Sequence, residues 1–411
     1  MAYSGTLKRT LLLTLVSLVP ALFAQDAAEP LEKARDKALA VLPQLRNYVC
    51  VETINRSYYS RVNPLDSPRS CEQLNLDRKQ NRYKIKLDAT DRLRLAVAFP
   101  VDREVYSWTG SEPFTYPLEN ILQMGPLGTG GFASHLLDIF SNPAVRFHLI
   151  AETPDTLEYG FRVPVEPSRF LARAANEWLK TSYTGSFTLD RRSLEMSRFV
   201  VETGELPEQT SMCDTATTLD FKSHSMDWFV PSKVHSHDML RDATETDRII
   251  AFSDCREATP VPRQIGSNSK TAHTPLPPGL EVTLIFNVPI DSDVAAAGDT
   301  ISATVREPVL SGFKVLVPTG AIVSGRILRM EHQQARSFDN VWQPPRFLVS
   351  VAFDTLEIAG VRSRFYARLE RPALNEMLTR SQGQSQDLPQ GTFAFVTGDR
   401  RYVVRPPFES H

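Results

Sequence analysis

The chain of 411 residues contains no Gly-x-Ser-x-Gly, no His-Glu-x-x-His and no Gly-x-x-x-x-Gly-Lys-[Ser/Thr]. The nucleophile elbow, the zinc-protease helix and the phosphate-cradling loop are therefore all missing. Among the four cysteines there is no Cys-x-x-Cys, so a dithiol redox motif is missing as well. No apolar run reaches the roughly 20 residues that a spanning helix needs. Neither sign of charge dominates, with 46 basic residues facing 48 acidic ones, and a nucleic-acid partner, which asks for a basic patch, is not expected. No internal repeat is visible. What these absences leave is a non-enzymatic globular protein without a cofactor.

What is present begins at the N terminus. Lys8 and Arg9 precede the apolar stretch Leu11–Val19 and then Pro20-Ala21-Leu22-Phe23-Ala24, the three-part layout of a secretory signal peptide (residues 1–24) cut after Ala24. Its removal takes the basic residues from 46 to 44 and the formal charge from −2 to −4. No Cys follows the stretch to take a lipid, so the expectation is a soluble periplasmic or secreted protein with no transmembrane segment after cleavage. In such a compartment an even cysteine count reads as disulfides. Of the three possible pairings, the local one, Cys50 with Cys71 and Cys213 with Cys255, is the simplest, each bridge contributing roughly 3 kcal/mol through the unfolded chain.

Periodicity divides the remainder. A helix is predicted from Pro30, with Leu31, Ala34, Ala38, Leu42 and Leu45 on one face. The period then drops to two. Strands are predicted over Val49–Tyr59, Arg82–Leu87, Arg92–Val101, Glu104–Trp108, Phe147–Ala151, Leu157–Val163, Tyr183–Leu189, Leu194–Glu202, Thr217–Lys222, Trp228–Val230 and Lys233–Leu240. Leu93, Leu95, Val97 and Phe99 face one way, Arg92 and Arg94 the other, which marks a sheet with one buried face. A glycine-rich turn, Gly125–Phe132, leads into a helix at Ala133–Phe140 that covers the sheet. The expected fold is mainly β: an α+β domain over 25–258, built as an antiparallel half-barrel with covering helices, then a Pro/Ser/Thr-rich linker over 259–278 and a small β-barrel domain over 279–411. In the barrel, strands are predicted at Glu281–Pro289, Thr300–Glu307, Lys314–Pro318, Ala321–Leu328, Phe347–Phe353, Thr355–Ile358 and Arg364–Leu369. Gly298-Asp299, Ser311-Gly312 and Thr319-Gly320 supply the turns between its first four strands. The polar segment 376–390 is expected to be mobile, and Gly391–Val396 with Arg401–Val404 to close the barrel.

The leading helix, the long antiparallel sheet and the hairpin Phe187-Thr188-Leu189-Asp190-Arg191-Arg192-Ser193-Leu194 make the first domain resemble the periplasmic lipoprotein-carrier type represented by LolA, LolB and RseB/MucB. The chain is also similar to exported two-domain proteins of soil bacteria of the acidobacterial type, on Asn47-Tyr48-Val49-Cys50-Val51-Glu52-Thr53-Ile54, the Gly125–Phe132 loop and Phe252-Ser253-Asp254-Cys255-Arg256. That likeness implies no activity. Ala297-Gly298-Asp299, Leu316-Val317-Pro318-Thr319-Gly320-Ala321 and Gly325-Arg326-Ile327 make the second domain resemble the β-barrel of TrbI-type conjugation and secretion channel proteins. It implies the fold but not the secretion role, because the inner-membrane helix and long Pro-rich spacer of those proteins have no counterpart here.

Candidate chemistry is sparse. In Val234-His235-Ser236-His237-Asp238, strand alternation puts His235 and His237 on one face within reach of one metal, with His224 a conceivable third ligand; the bland alternative is two solvated histidines. Gly128–Ala133 fits a loose dinucleotide fingerprint, but its surroundings lack a βαβ unit. Glu202 with Glu205, or Asp238 with Asp242, has the composition of a glycosidase pair without evidence of spacing. The aromatics Tyr106, Trp108, Phe114, Tyr116, Tyr183, Phe187 and Trp228 are either core or the lining of a concavity. Two functions follow: a binding protein holding a lipid or lipoprotein acyl chain against Leu95, Val97, Tyr106, Trp108 and Leu136, or a structural module that docks an envelope protein partner.

Overall fold

Alternating apolar and polar residues drive most of the chain into strands, and the fold is mainly β. The computed structural model describes residues 20–63, 65, 69–100, 103–110, 130–174, 177–222, 230–258, 276, 280–338, 341–343, 345–369 and 392–397. Its helices are α1 (Pro20–Leu45), α2 (Cys71–Lys79) and α3 (Ser134–Ser141). The first strands are β1 (Tyr48–Arg61), β2 (Ile85–Ala98), β3 (Val105–Trp108), β4 (Arg146–Glu152), β5 (Thr156–Val163), β6 (Leu171–Ala174), β7 (Glu177–Lys180), β8 (Tyr183–Asp190), β9 (Met196–Thr203), β10 (Met212–Asp220), β11 (Lys233–Leu240) and β12 (Glu245–Glu257). They are followed by β13 (Glu281–Phe286), β14 (Thr300–Val305), β15 (Val309–Ser311), β16 (Lys314–Val317), β17 (Ile322–Gln333), β18 (Arg336–Phe338), β19 (Val341–Gln343), β20 (Arg346–Ile358), β21 (Val361–Leu369) and β22 (Thr392–Thr397).

One antiparallel sheet runs through both halves in the order β14-β13-β22-β21-β20-β17-β2-β1-β12-β11-β10-β9-β8-β5-β4. A further pairing of β14 with β17 closes the first six strands into a barrel, which leaves those strands without an open edge. The other nine form an open sheet, joined to the barrel along β2. The outer edge of β2 is covered in three pieces: Ala89–Asp91 by β17, Arg92 and Arg94 by backbone bonds to Ala297, and Leu95–Ala98 by β3.

Two large cores result. The inner face of the open sheet, with Leu93, Leu95, Val97, Phe99, Ile54, Ile250, Phe187 and Phe199, packs against Ala34, Ala38 and Leu42 of α1 and Leu136, Ile139 and Phe140 of α3. The barrel encloses Leu284, Ala303, Val305, Val323, Ile327, Phe353, Leu356 and Phe365. A third, small cluster under α2 gathers Cys71, Leu74, Cys213, Met239 and Ala243 on the opposite side of the open sheet.

Several expectations need correction. Helix α1 is already under way at Pro20, well before Pro30, and contains both Pro30 and Pro43, although its buried face is the expected one. The two strands predicted at Arg82–Leu87 and Arg92–Val101 are one strand, β2. Helix α2 and strand β12 were not foreseen, and β12 overturns the disulfide pairing. Because β12 pairs with β1, it brings Cys255 beside Cys50, while α2 lies on β10 and brings Cys71 to Cys213. The bridges therefore join sequence separations of 205 and 142 residues instead of closing local loops. Arg256 and Glu257, at the foot of the expected linker, belong to β12. Nearly all of the linker, Trp228 and Phe229 of the strand expected at Trp228–Val230, the segment 376–390 and the strand at Arg401–Val404 lie outside the described residues, and Val230 is in a bend.

Candidate functional site

A set of buried titratable groups lies where β3 meets α3. Tyr106 points into the first core opposite Val97, so Glu104, two residues earlier, lies on the same side. Its carboxylate accepts the backbone N–H groups of Gly130 at 2.6 Å, Phe132 and Ala133 at 2.9 Å and Ser134 at 3.2 Å, together with the Tyr106 hydroxyl. A helix start leaves N–H groups without intrahelical partners and carries partial positive charge. The described end of the glycine-rich turn, from Gly130, thus does bind an anion, but the anion is the chain's own Glu104, and 125–129 lie outside the described residues.

Around this nest sit Glu52 of β1, which is 2% exposed, and His135 and Asp138 of α3. Burial first, then the negative charge of Glu104, raises the Glu52 carboxyl well above its ordinary value of 4.5. Oε2 of Glu52 has no hydrogen-bond partner among the described residues. Burial pulls His135 below its ordinary value, with Glu104 and Asp138 opposing. Asp138 accepts from the Tyr183 hydroxyl at 2.6 Å and from the Arg169 N–H at 3.1 Å. Burial likewise raises Tyr106 and Tyr183 far above the usual phenol range. The cluster holds protons and anchors a helix. Ser107 alternates to the other face of β3, away from the cluster.

Glu52 sets a pH dependence. Its proton is held more tightly in the folded chain than in the unfolded one, so stability falls as pH rises from about 4.5 toward the raised folded value. Glu52→Gln, which mimics the protonated acid, is expected to stabilise the protein by about 1–3 kcal/mol at pH 7 and by little at pH 4. Urea unfolding of both proteins at the two pH values measures this. Parallel pH profiles would refute it.

Leu95, Val97, Tyr106 and Leu136, which the sequence offers for a ligand, do come together, all buried in the first core with α1 and α3. Trp108 is half-buried at the margin, with the Arg326 guanidinium 5.8 Å from its ring centroid. His235 and His237 share the outer face of β11, as alternation requires, and both rings reach Oδ1 of Asp247, at 3.2 and 3.0 Å. Chiefly the His237 bond holds the Asp247 carboxyl below its usual range. Among the described residues no three His, Cys, Asp or Glu side chains converge to hold a metal, and His224 lies outside them. The acidic pairs separate: Glu205 pairs with Arg241, Asp238 with Arg248, and Asp242 closes the turn at Thr244. Phe187 and Tyr183 are core rings, while Phe114, Tyr116 and Trp228 lie outside the described residues.

Two features left no readable trace in the sequence. Arg56 and Arg248, 1% and 2% exposed, face each other across β1 and β12. Asp91 and Asp238 neutralise them from the flanking strands, giving a ladder of charges − + + − across β2, β1, β12 and β11. A cleft of about 280 Å³ opens beside Arg56 and Asp91, lined also by Arg92, Met330, Glu331 and His332. Its charged groups are already engaged, Arg56 by Asp91, Arg92 by Asn55 and Glu331 by Arg329.

No family model, no curated protein and no solved structure matches this chain.

Proposed function

We propose that the protein is an exported, non-enzymatic docking module of the cell envelope, in which an open sheet and a closed barrel act as one rigid platform. The observation that carries this reading is the packing of Leu95, Val97, Tyr106 and Leu136, which are buried among core side chains on the face where a lipid would need space. Three further features support it: the sheet is continuous across β2, the titratable cluster is spent on holding α3, and two disulfides fix the open sheet. Disulfides suit the periplasm or the cell exterior.

The test uses protein purified natively from the envelope, cross-linked in place and analysed for both partners and lipids. The expected result is a cross-linked envelope protein and no stoichiometric lipid in the extract. One lipid per chain would overturn this reading in favour of an amphiphile carrier.

A further inference from the structure

The hairpin β15–β16 stands apart from both large sheets as its own two-stranded ribbon. Its base is anchored, since Val309 and Val317 are buried in the barrel core. Its tip is apolar and bare: Phe313 is 108% exposed, and the cross-strand partners Leu310 and Val315 are 50% and 52% exposed. The turn between Ser311 and Lys314 has two residues, with Gly312 at φ +61° in the first central position, which suits a tight reversal and leaves Phe313 at the apex. A fully exposed aromatic side chain beside two half-exposed aliphatic ones is uncommon on a water-facing surface.

We propose that this tip is a lipid-surface contact, entering the headgroup region of an anionic membrane. Charge selects the occupant. Lys314 is the charged residue of the tip, where its stem can lie along the apolar side chains while its ammonium meets phosphate. The acidic Glu307 sits at the base with Arg306, on the order of 13 Å away at strand spacing. Three apolar side chains and one cation give weak, reversible attachment, short of anchoring. The proposal rests on the docking reading and names the surface against which the platform works.

The purified full chain is mixed with phosphatidylglycerol–phosphatidylethanolamine vesicles and, separately, with phosphatidylcholine vesicles, and bound protein is measured by flotation. Flotation is expected with the anionic vesicles and should weaken as salt rises. Phe313→Ser should lower vesicle affinity about tenfold or more with an unchanged unfolding midpoint, because the fully exposed ring packs against none of the described residues. Phe313→Trp should keep binding and add a blue-shifted emission on vesicles. Equal flotation of the wild type and Phe313→Ser overturns the proposal. Absence of flotation with envelope cross-linking intact overturns the hairpin assignment alone, and absence of both removes the docking reading with it.

Discussion

Replacing Glu104 by alanine is expected to lower stability by about 3–5 kcal/mol, because it strands four backbone donors and a phenol in a buried place. Each hydrogen bond to a charged group is worth about 1.5–3 kcal/mol, and the losses do not add because water enters the vacated space. The start of α3 should loosen first. Faster amide exchange at Gly130–Ser134 than at Phe187 or Phe199 would show this, since those residues lie in the aromatic core away from the turn. Glu104→Gln keeps one acceptor but turns an NH2 group toward donors, so it should fall between wild type and alanine. Removing the Glu104 charge should also weaken the pH dependence that Glu52 imposes, so the two substitutions are coupled. A loss below 1 kcal/mol for Glu104→Ala, measured by urea unfolding, would mean that the turn holds itself.

Strand periodicity was readable wherever one face is apolar. Strand β11 has the bounds its alternation predicts, and Leu93, Leu95, Val97 and Phe99 all point inward. Alternation fails where charges are buried. Asp91, Arg56, Arg248 and Asp238 sit on inward-facing positions that a sequence reading assigns to solvent, and β12 was missed because its apolar run is confined to Ile249–Phe252, behind the polar Glu245-Thr246-Asp247-Arg248. The disulfide error followed from that omission. Helix α2 did carry a local signal, Ser70 three residues before Gln73, and the Ser70 hydroxyl does accept the Gln73 N–H. Glu104 carried none, because its backbone partners lie 26 to 30 residues further on. The joining of barrel and open sheet was equally silent. It depends on Glu331–Gln333 finding Ala89–Asp91, a long-range pairing that no local propensity encodes.

Gly298→Val is expected to uncouple the two cores and to split one thermal transition into two. Gly298 has φ +107°, which strains any residue with a side chain, and a Cβ there would overlap the carbonyl oxygen of Arg94. That oxygen belongs to the backbone of β2, so relief requires the whole turn to lift away. The turn adds a second attachment beside the β17–β2 pairing. Ala297 donates to the Arg92 carbonyl at 2.9 Å, Arg94 donates to the Ala297 carbonyl at 2.7 Å, and Gly298 donates to Ile327 at 2.8 Å. Beside it, Asp299 pairs with Arg94, and Arg326 reaches the carbonyls of Thr109 and Gly298 while lying over Trp108. Lifting the turn removes these together, a loss of about 3 kcal/mol or more. Asp299→Asn, which keeps the main-chain bonds and one oxygen to accept the Ala296 N–H but loses the part-exposed ion pair, should cost about 1 kcal/mol and preserve the single transition. Each core retains its own packing, and the β14–β17 pairing still closes the barrel, so both halves should stay folded at room temperature. Differential scanning calorimetry distinguishes the cases. A single transition at the wild-type temperature in Gly298→Val would show that β17 alone holds the barrel to the open sheet.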